Sequence, residues 1–143
     1  MPELIHSVEI AVAPKMLFPL VATADGLAKW WAEDVTEVAG GAELGFFDRS
    51  TIYRLRGLTL APPATAAWLC ESGKEWALTR LVFHMAAKGG VTDLRFTHEG
   101  WREVTPYFIA CNTTWGALLH RLKTVAEGGA PRPFFSKSGM SEA

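Results

Sequence analysis

A chain of 143 residues, 49% apolar and 20% charged, makes one domain with one hydrophobic core. Fourteen Lys and Arg against fifteen Asp and Glu leave a net charge of -1, and no basic run is long enough to hold nucleic acid or an anionic membrane. Cys70 and Cys111 are too few for a disulfide scaffold or zinc knuckle, the start MPELIHSVEI lacks a basic head before an apolar stretch, and prolines interrupt the longest uncharged runs, so a cytoplasmic chain with reduced thiols and no membrane span is expected.

Residues 5–12 alternate Val8, Ile10 and Val12 with Ser7, Glu9 and Ala11, the two-residue period of a half-buried strand. Pro14 suits the first turn of a short helix through Val21, made irregular by Pro19. Thr23 is placed to cap a second short helix on which Leu27, Trp30 and Trp31 share a face. Two adjacent tryptophans are expected to split, one of them sitting at a cavity rim or partner surface.

From 34 to 98 the pattern is all β. Gly40-Gly41, Asp48-Arg49-Ser50, Pro62-Pro63, Ser72-Gly73-Lys74 and Gly89-Gly90 divide it into an antiparallel meander of six strands. Parity puts Leu44 with Phe46, Tyr53 with Leu55, Trp68 with Cys70, Leu81 with Phe83 and Met85, and Leu94 with Phe96 and His98 on one covered face. Arg54, Arg56, Arg80, His84, Asp93 and Arg95 fall on the wet face. The cover is a helix that starts at Pro106, capped by Thr105, carries Phe108, Cys111, Trp115, Leu118, Leu122 and Val125 on one stripe, and ends at Gly128-Gly129. At ~1.5 Å per residue it is roughly 34 Å long, enough to cross a sheet. Residues 1–129 thus form the domain, and 130–143 are either a frayed tail or a strap pinned by Phe134 and Phe135.

No Gly-x-Gly-x-x-Gly, P-loop, His-Glu-x-x-His or Cys-x-x-Cys pattern occurs, so no cofactor and no metal are expected. Four histidines, at 6, 84, 98 and 120, lie on different elements. His98 is the one read as sharing parity with buried residues, either as a polar anchor or base facing a cavity or as a histidine satisfied at a strand end. The two cysteines face inward as small apolar groups, while Asp34, Glu37, Glu71 and Glu75 are read as surface charges.

Four segments carry a resemblance across nearly the whole chain: Ile-His-x-x-Glu-Ile-x-x-x-Pro from Ile5 to Pro14, Asp25-Gly26-Leu27-x-x-Trp30-Trp31, His98-x-Gly100-Trp101, and Trp115-x-x-Leu118-Leu119-x-x-Leu122. In this order they resemble the START-like (SRPBCC) helix-grip superfamily, and within it the bacterial relatives of the heat-shock-protein-90 ATPase activator. The resemblance implies an α+β fold: a curved antiparallel sheet of about seven strands wrapped around a long C-terminal helix, two short helices after strand one, and an apolar cavity between sheet and helix.

Parity and this resemblance together predict non-catalytic binding of a small hydrophobic or aromatic molecule, lipid-like or polyketide-like. Phe46, Tyr53, Leu55, Trp68, Phe83, Phe96, Phe108 and Trp115 would form the wall, and His98, Tyr53 and Asn112 the polar anchors. The alternatives are a cyclase- or hydrolase-type enzyme using His98 as base, and a co-chaperone-like interaction module. Chaperone partnership ranks last, because the eukaryotic activators carry an additional partner-binding domain that a lone domain of this length lacks; a homodimer is compatible with either binding reading.

Overall fold

A computed structural model describes residues 1–140. The elements are β1 (Leu4–Ile10), α1 (Pro14–Ala22), α2 (Ala24–Trp30), β2 (Asp34–Val38), β3 (Gly41–Phe46), β4 (Thr51–Ala61), β5 (Thr65–Cys70), β6 (Arg80–Lys88), β7 (Val91–Glu99) and α3 (Pro106–Ala126). Strands β2 to β7 run as the expected meander. β1 pairs with β7 at the far edge, giving the order β1-β7-β6-β5-β4-β3-β2 with every pairing antiparallel. The chain therefore leaves one edge of the sheet and re-enters at the other. Helix α1 makes that crossing over β5 and β6, α2 continues it to β2 and β3, and α3 closes the same face.

The inward parity holds on every strand: all the residues assigned to the covered face, from Leu44 to His98, are buried. Side chains alternate across a pleated backbone, so a row such as His6, Phe96, Phe83 and Ala66 lines up across four neighbouring strands. His6 thus faces inward as well, sharing parity with Leu4, Val8 and Ile10; His98 is not the one inward histidine. The β4–β5 register shifts between Gly57 and Thr59, and Leu58 at that bulge and Leu60 beyond it are exposed to solvent.

Three side chains complete the C-terminal end of α1. Its last carbonyls have no partners within the helix. Thr23 Oγ1 donates to the Pro19 carbonyl at 2.8 Å, Trp30 Nε1 to Leu20 at 2.8 Å, and Trp68 Nε1 to Val21 at 2.9 Å. Thr23 also accepts from the Gly26 amide at 2.9 Å, capping α2 as expected. Gly26 is where α2 crosses α1: a Cβ there would lie 2.0 Å from the Pro19 carbonyl oxygen.

The expected split of Trp30 and Trp31 is one of depth within the interior: Trp31 lines a cavity and Trp30 does not, but neither is left on the surface. Both are buried and stacked at 5.8 Å, because the helix ends at Trp30 and the turn carries the second ring inward beside the first. The described residues after α3 return to the end of α2 as a strap. Phe134 and Phe135 amides donate to the Trp30 and Trp31 carbonyls at 2.9 Å each, and the Glu33 amide donates to the Phe135 carbonyl at 2.8 Å. The last three residues of the 130–143 segment lie outside the described residues.

Candidate functional site

Helix α3 makes its close approaches to β1, α2 and α1 and stands off from the β3–β4 side of the sheet. The space left there is a cavity of about 660 Å³. Its sheet wall is Phe46, Tyr53 and the β3–β4 turn; its helix wall is Tyr107, Ala110, Cys111, Thr114, Trp115 and Leu118. Trp31 and Phe135 line it from the α2 and strap side, and Lys74, Glu75 and Trp76 from the β5–β6 loop.

The interior is a continuous set of rings. Tyr53 lies flat on Trp76, centroids 4.2 Å apart and planes 3° from parallel, and Trp76 stacks in turn on Trp115 at 6.1 Å. Trp31 meets Trp115 at 5.0 Å, and Phe46 takes the edges of Tyr53 at 5.6 Å and Phe135 at 5.0 Å. Offset and edge-on pairs of this kind hold rings in fixed orientations.

Polar groups are few and gathered toward the β5–β6 loop. The Tyr53 hydroxyl, from β4, is hydrogen-bonded to the Tyr107 hydroxyl, from the first turn of α3. Glu75 Oε1 accepts from Thr105 Oγ1 at 2.5 Å, and Thr105 also caps α3 by accepting from the Phe108 amide at 3.1 Å. Burial pushes both phenols above the ordinary tyrosine value, and for Tyr107 the bond from Tyr53 adds to it. Cys111 is raised by burial as well, and Cys70, deeper in the core, is pushed up to about 12 by the same cause.

The β3–β4 turn, which lines the cavity through Phe47 and Ser50, is held by charge. Phe47, Asp48 and Arg49 take left-handed backbone conformations, with φ of 52°, 55° and 64°. Arg49 Nη1 spans both oxygens of Asp34 at 2.8 Å, its other nitrogen reaches Glu43, and the Asp48 amide donates to the Lys137 carbonyl at 2.6 Å. The Arg54 and Arg49 guanidiniums hold the Glu43 carboxyl below the usual carboxylate range.

Of the residues assigned to the site from sequence, Phe46, Tyr53 and Trp115 line the cavity. Leu55, Trp68, Phe83 and Phe96 are buried but pack into the solid part of the core: Phe83 and Phe96 meet at 4.9 Å, and Trp68 is committed to the end of α1. Phe96 packs on Trp115 at 4.3 Å on the side away from the cavity lining. Phe108 is half-buried against the Trp101 ring at 5.1 Å. Asn112 is exposed, because one residue past Cys111 turns a helix position about 100° away from the buried stripe.

His98 does not face the cavity. Trp76 and Trp115 stand in front of it, Trp115 Nε1 donates to its Nδ1 at 3.2 Å, and Nε2 lies 2.8 Å from Thr79 Oγ1. Burial lowers its pKa to about 3. His98 is not among the residues lining the cavity, and both of its nitrogens are engaged within the protein rather than presented to a ligand. Sequence reading does not mark Trp76 or Tyr107 and takes Glu75 for a surface charge, whereas Glu75 is half-buried and lines the cavity: Trp76 and Glu75 sit in an aperiodic loop, and Tyr107 lies off the apolar stripe of α3. Among the described residues no group of three or more His, Cys, Asp or Glu could hold a metal ion, and no helix is long and apolar enough to cross a membrane.

No protein-family model matches the chain, and neither does any curated protein. Solved structures do. The Aha1 dimer from Colwellia psychrerythraea is 30% identical, with 92% of this chain covering 100% of that one at a TM-score of 0.79. The chain belongs to the Aha1-like family. Two more distant structures share the helix-grip fold of this Aha1-like chain: protein MLL2253 from Mesorhizobium loti, 14% identical over 87% of this chain and 96% of that one, TM-score 0.73, and CalU16 from Micromonospora echinospora, 13% identical over 92% and 77%, TM-score 0.70.

Proposed function

We propose that this Aha1-like protein binds a small aromatic or otherwise apolar molecule, without transforming it, in the cavity between the β3–β4 side of the sheet and α3. The observation that carries this reading is the cavity itself. Interiors are packed with few voids larger than a water molecule, and about 660 Å³ lies within the size range of small-molecule sites. Its walls are preoriented rings, so a flat or flexible apolar ligand would bury area without first ordering the side chains it meets.

Native mass spectrometry of the full chain, followed by melting curves with a fatty acid, a flavonoid and a fused-ring aromatic, tests it. A ligand at 100 times its Kd stabilises the folded protein by about 2.7 kcal/mol and raises Tm accordingly. Unchanged Tm and unchanged indole fluorescence with all three would overturn the proposal.

A second reading, self-association, is favoured by one observation: the Colwellia relative matched over its full length is a dimer. Sedimentation at micromolar concentration distinguishes a dimer of this chain from a monomer.

A further inference from the structure

Tyr53 and Tyr107 reach toward each other from opposite walls, β4 and α3, and join by their hydroxyls at the cavity. Two phenols own two O–H protons, and their mutual bond uses one. For the second, the Cys111 thiol, four residues on from Tyr107 on α3 and lining the same cavity, is a weak acceptor. A ligand oxygen is a better acceptor than a thiol sulfur, so the pair presents a donor to whatever occupies the space between sheet and helix.

The charges at this end are Lys74, which is exposed, and Glu75, which is half-buried. Glu75 Oε1 is engaged by Thr105, and among the described residues no hydrogen bond engages Oε2. The Glu75 charge reaches both Tyr53 and Cys111, where it opposes further negative charge. A ligand carboxylate placed against the tyrosines would meet that same field, whereas a neutral hydroxyl accepts from a phenol and donates to Glu75. The flat Tyr53–Trp76 stack beside the pair supplies a surface for a ring rather than for a flexible chain.

Resting on the ligand-binding reading above, we propose that the cavity selects neutral aromatic molecules bearing a hydroxyl or carbonyl oxygen, and that the Tyr53–Tyr107 hydroxyl pair, with Glu75, is the element that selects them. Fatty and aromatic carboxylates are disfavoured by the same groups.

Three naphthalenes differing only at position 2 separate the terms: 2-naphthol, 2-methylnaphthalene and 2-naphthoate, titrated into the full chain and followed by NMR at the indole N–H groups. The expected order is 2-naphthol tightest, about tenfold ahead of 2-methylnaphthalene for one hydrogen bond, with 2-naphthoate weakest. Tyr107→Phe should bring 2-naphthol to within about threefold of 2-methylnaphthalene, and Glu75→Gln should improve 2-naphthoate alone. Tyr107 is partly exposed, so the phenylalanine variant keeps its fold, and the ligand series on the unaltered protein tests the proposal without any variant. Equal affinity for the naphthol and the methyl compound overturns the selection by the tyrosine pair and leaves the ligand site standing. Failure of all three to move any indole resonance overturns the ligand site and this proposal with it.

Discussion

The Trp115 indole N–H donates to His98 Nδ1 at 3.2 Å, which ties the middle of α3 to the end of β7 and fixes the state of the imidazole. An indole N–H can only donate, so Nδ1 accepts and the ring proton resides on Nε2. Nε2 then donates to Thr79 Oγ1 at 2.8 Å, and Thr79 Oγ1 donates to the Trp76 carbonyl at 2.6 Å. Every polar group in this buried chain is satisfied with a neutral histidine. A second proton on Nδ1 would point at the Trp115 N–H.

A pH dependence follows. The His98 pKa is lowered to about 3 in the folded protein, against about 6.5 when unfolded. Between those values the unfolded chain binds the extra proton, so stability falls as pH drops below about 6.5, by up to about 1.4 kcal/mol per pH unit from this group, and levels off near the folded value. Urea denaturation of the wild type and His98→Gln from pH 7 to pH 4 should show the steeper loss in the wild type. Parallel curves would contradict the assignment of a neutral, buried His98.

The same bond predicts two grades of damage at position 115. Trp115→Phe keeps most of the ring but leaves Nδ1 unsatisfied, costing about 1–3 kcal/mol. Trp115→Ala also removes the ring that Phe96, Trp31 and Trp76 pack against, costing roughly 3–5 kcal/mol. Equilibrium unfolding should rank wild type, Phe and Ala in that order, and a Phe variant as stable as the wild type would remove the hydrogen bond from the account.

The thiols should be slow toward disulfide reagents, because the thiolate is the reacting form. Cys70, pushed up to about 12 and fully buried, should react at pH 8 only as fast as the protein unfolds. Cys111 lines the cavity and should react first, though more slowly than a free cysteine, and a cavity ligand should slow it further. Peptide mapping after timed labelling reads the order; Cys70 labelled ahead of Cys111 would show that the core opens more readily than the cavity.

The strap forms part of the site. Phe135 lines the cavity, packs edge-on against Phe46 at 5.0 Å, and joins Ala32 in a parallel bridge. Phe135→Ala should cost about 1–3 kcal/mol, the range for truncating a half-buried ring, and should raise acrylamide quenching of the indoles next to it. An unchanged Tm together with unchanged quenching would mean that the strap neither stabilises the domain nor covers the cavity.

Much of this architecture could be read from residue order. Which face of each strand is buried is a matter of a two-residue period set by the backbone, so Tyr53, Phe83 and His98 were assignable inward without knowing what they meet. Turn residues at Gly40-Gly41 and Gly89-Gly90 and the caps Thr23 and Thr105 mark boundaries through contacts within a few residues. The four segments of family resemblance recovered the helix-grip order because they span the chain. What remained ambiguous was local in the same sense: the parity that placed His98 inward placed His6 inward as well.

The sequence by itself determined the order of elements, the covered face of the sheet and the extent of α3, because those depend on backbone periods and on caps that act within a turn or two. Only the tertiary structure decided where the cavity lies. Inwardness is shared by Phe83, Phe96, Phe46 and Tyr53 alike, and which of them meet a neighbour and which meet open space depends on the distance at which α3 crosses each strand, a consequence of how β1, α1 and α2 pack beneath it. For the same reason Trp76 from an aperiodic loop, Tyr107 from beside the helix stripe and Phe135 from beyond the last helix became walls of one site, though they lie 28 residues or more apart along the chain and nothing in their own neighbourhoods marks them as partners.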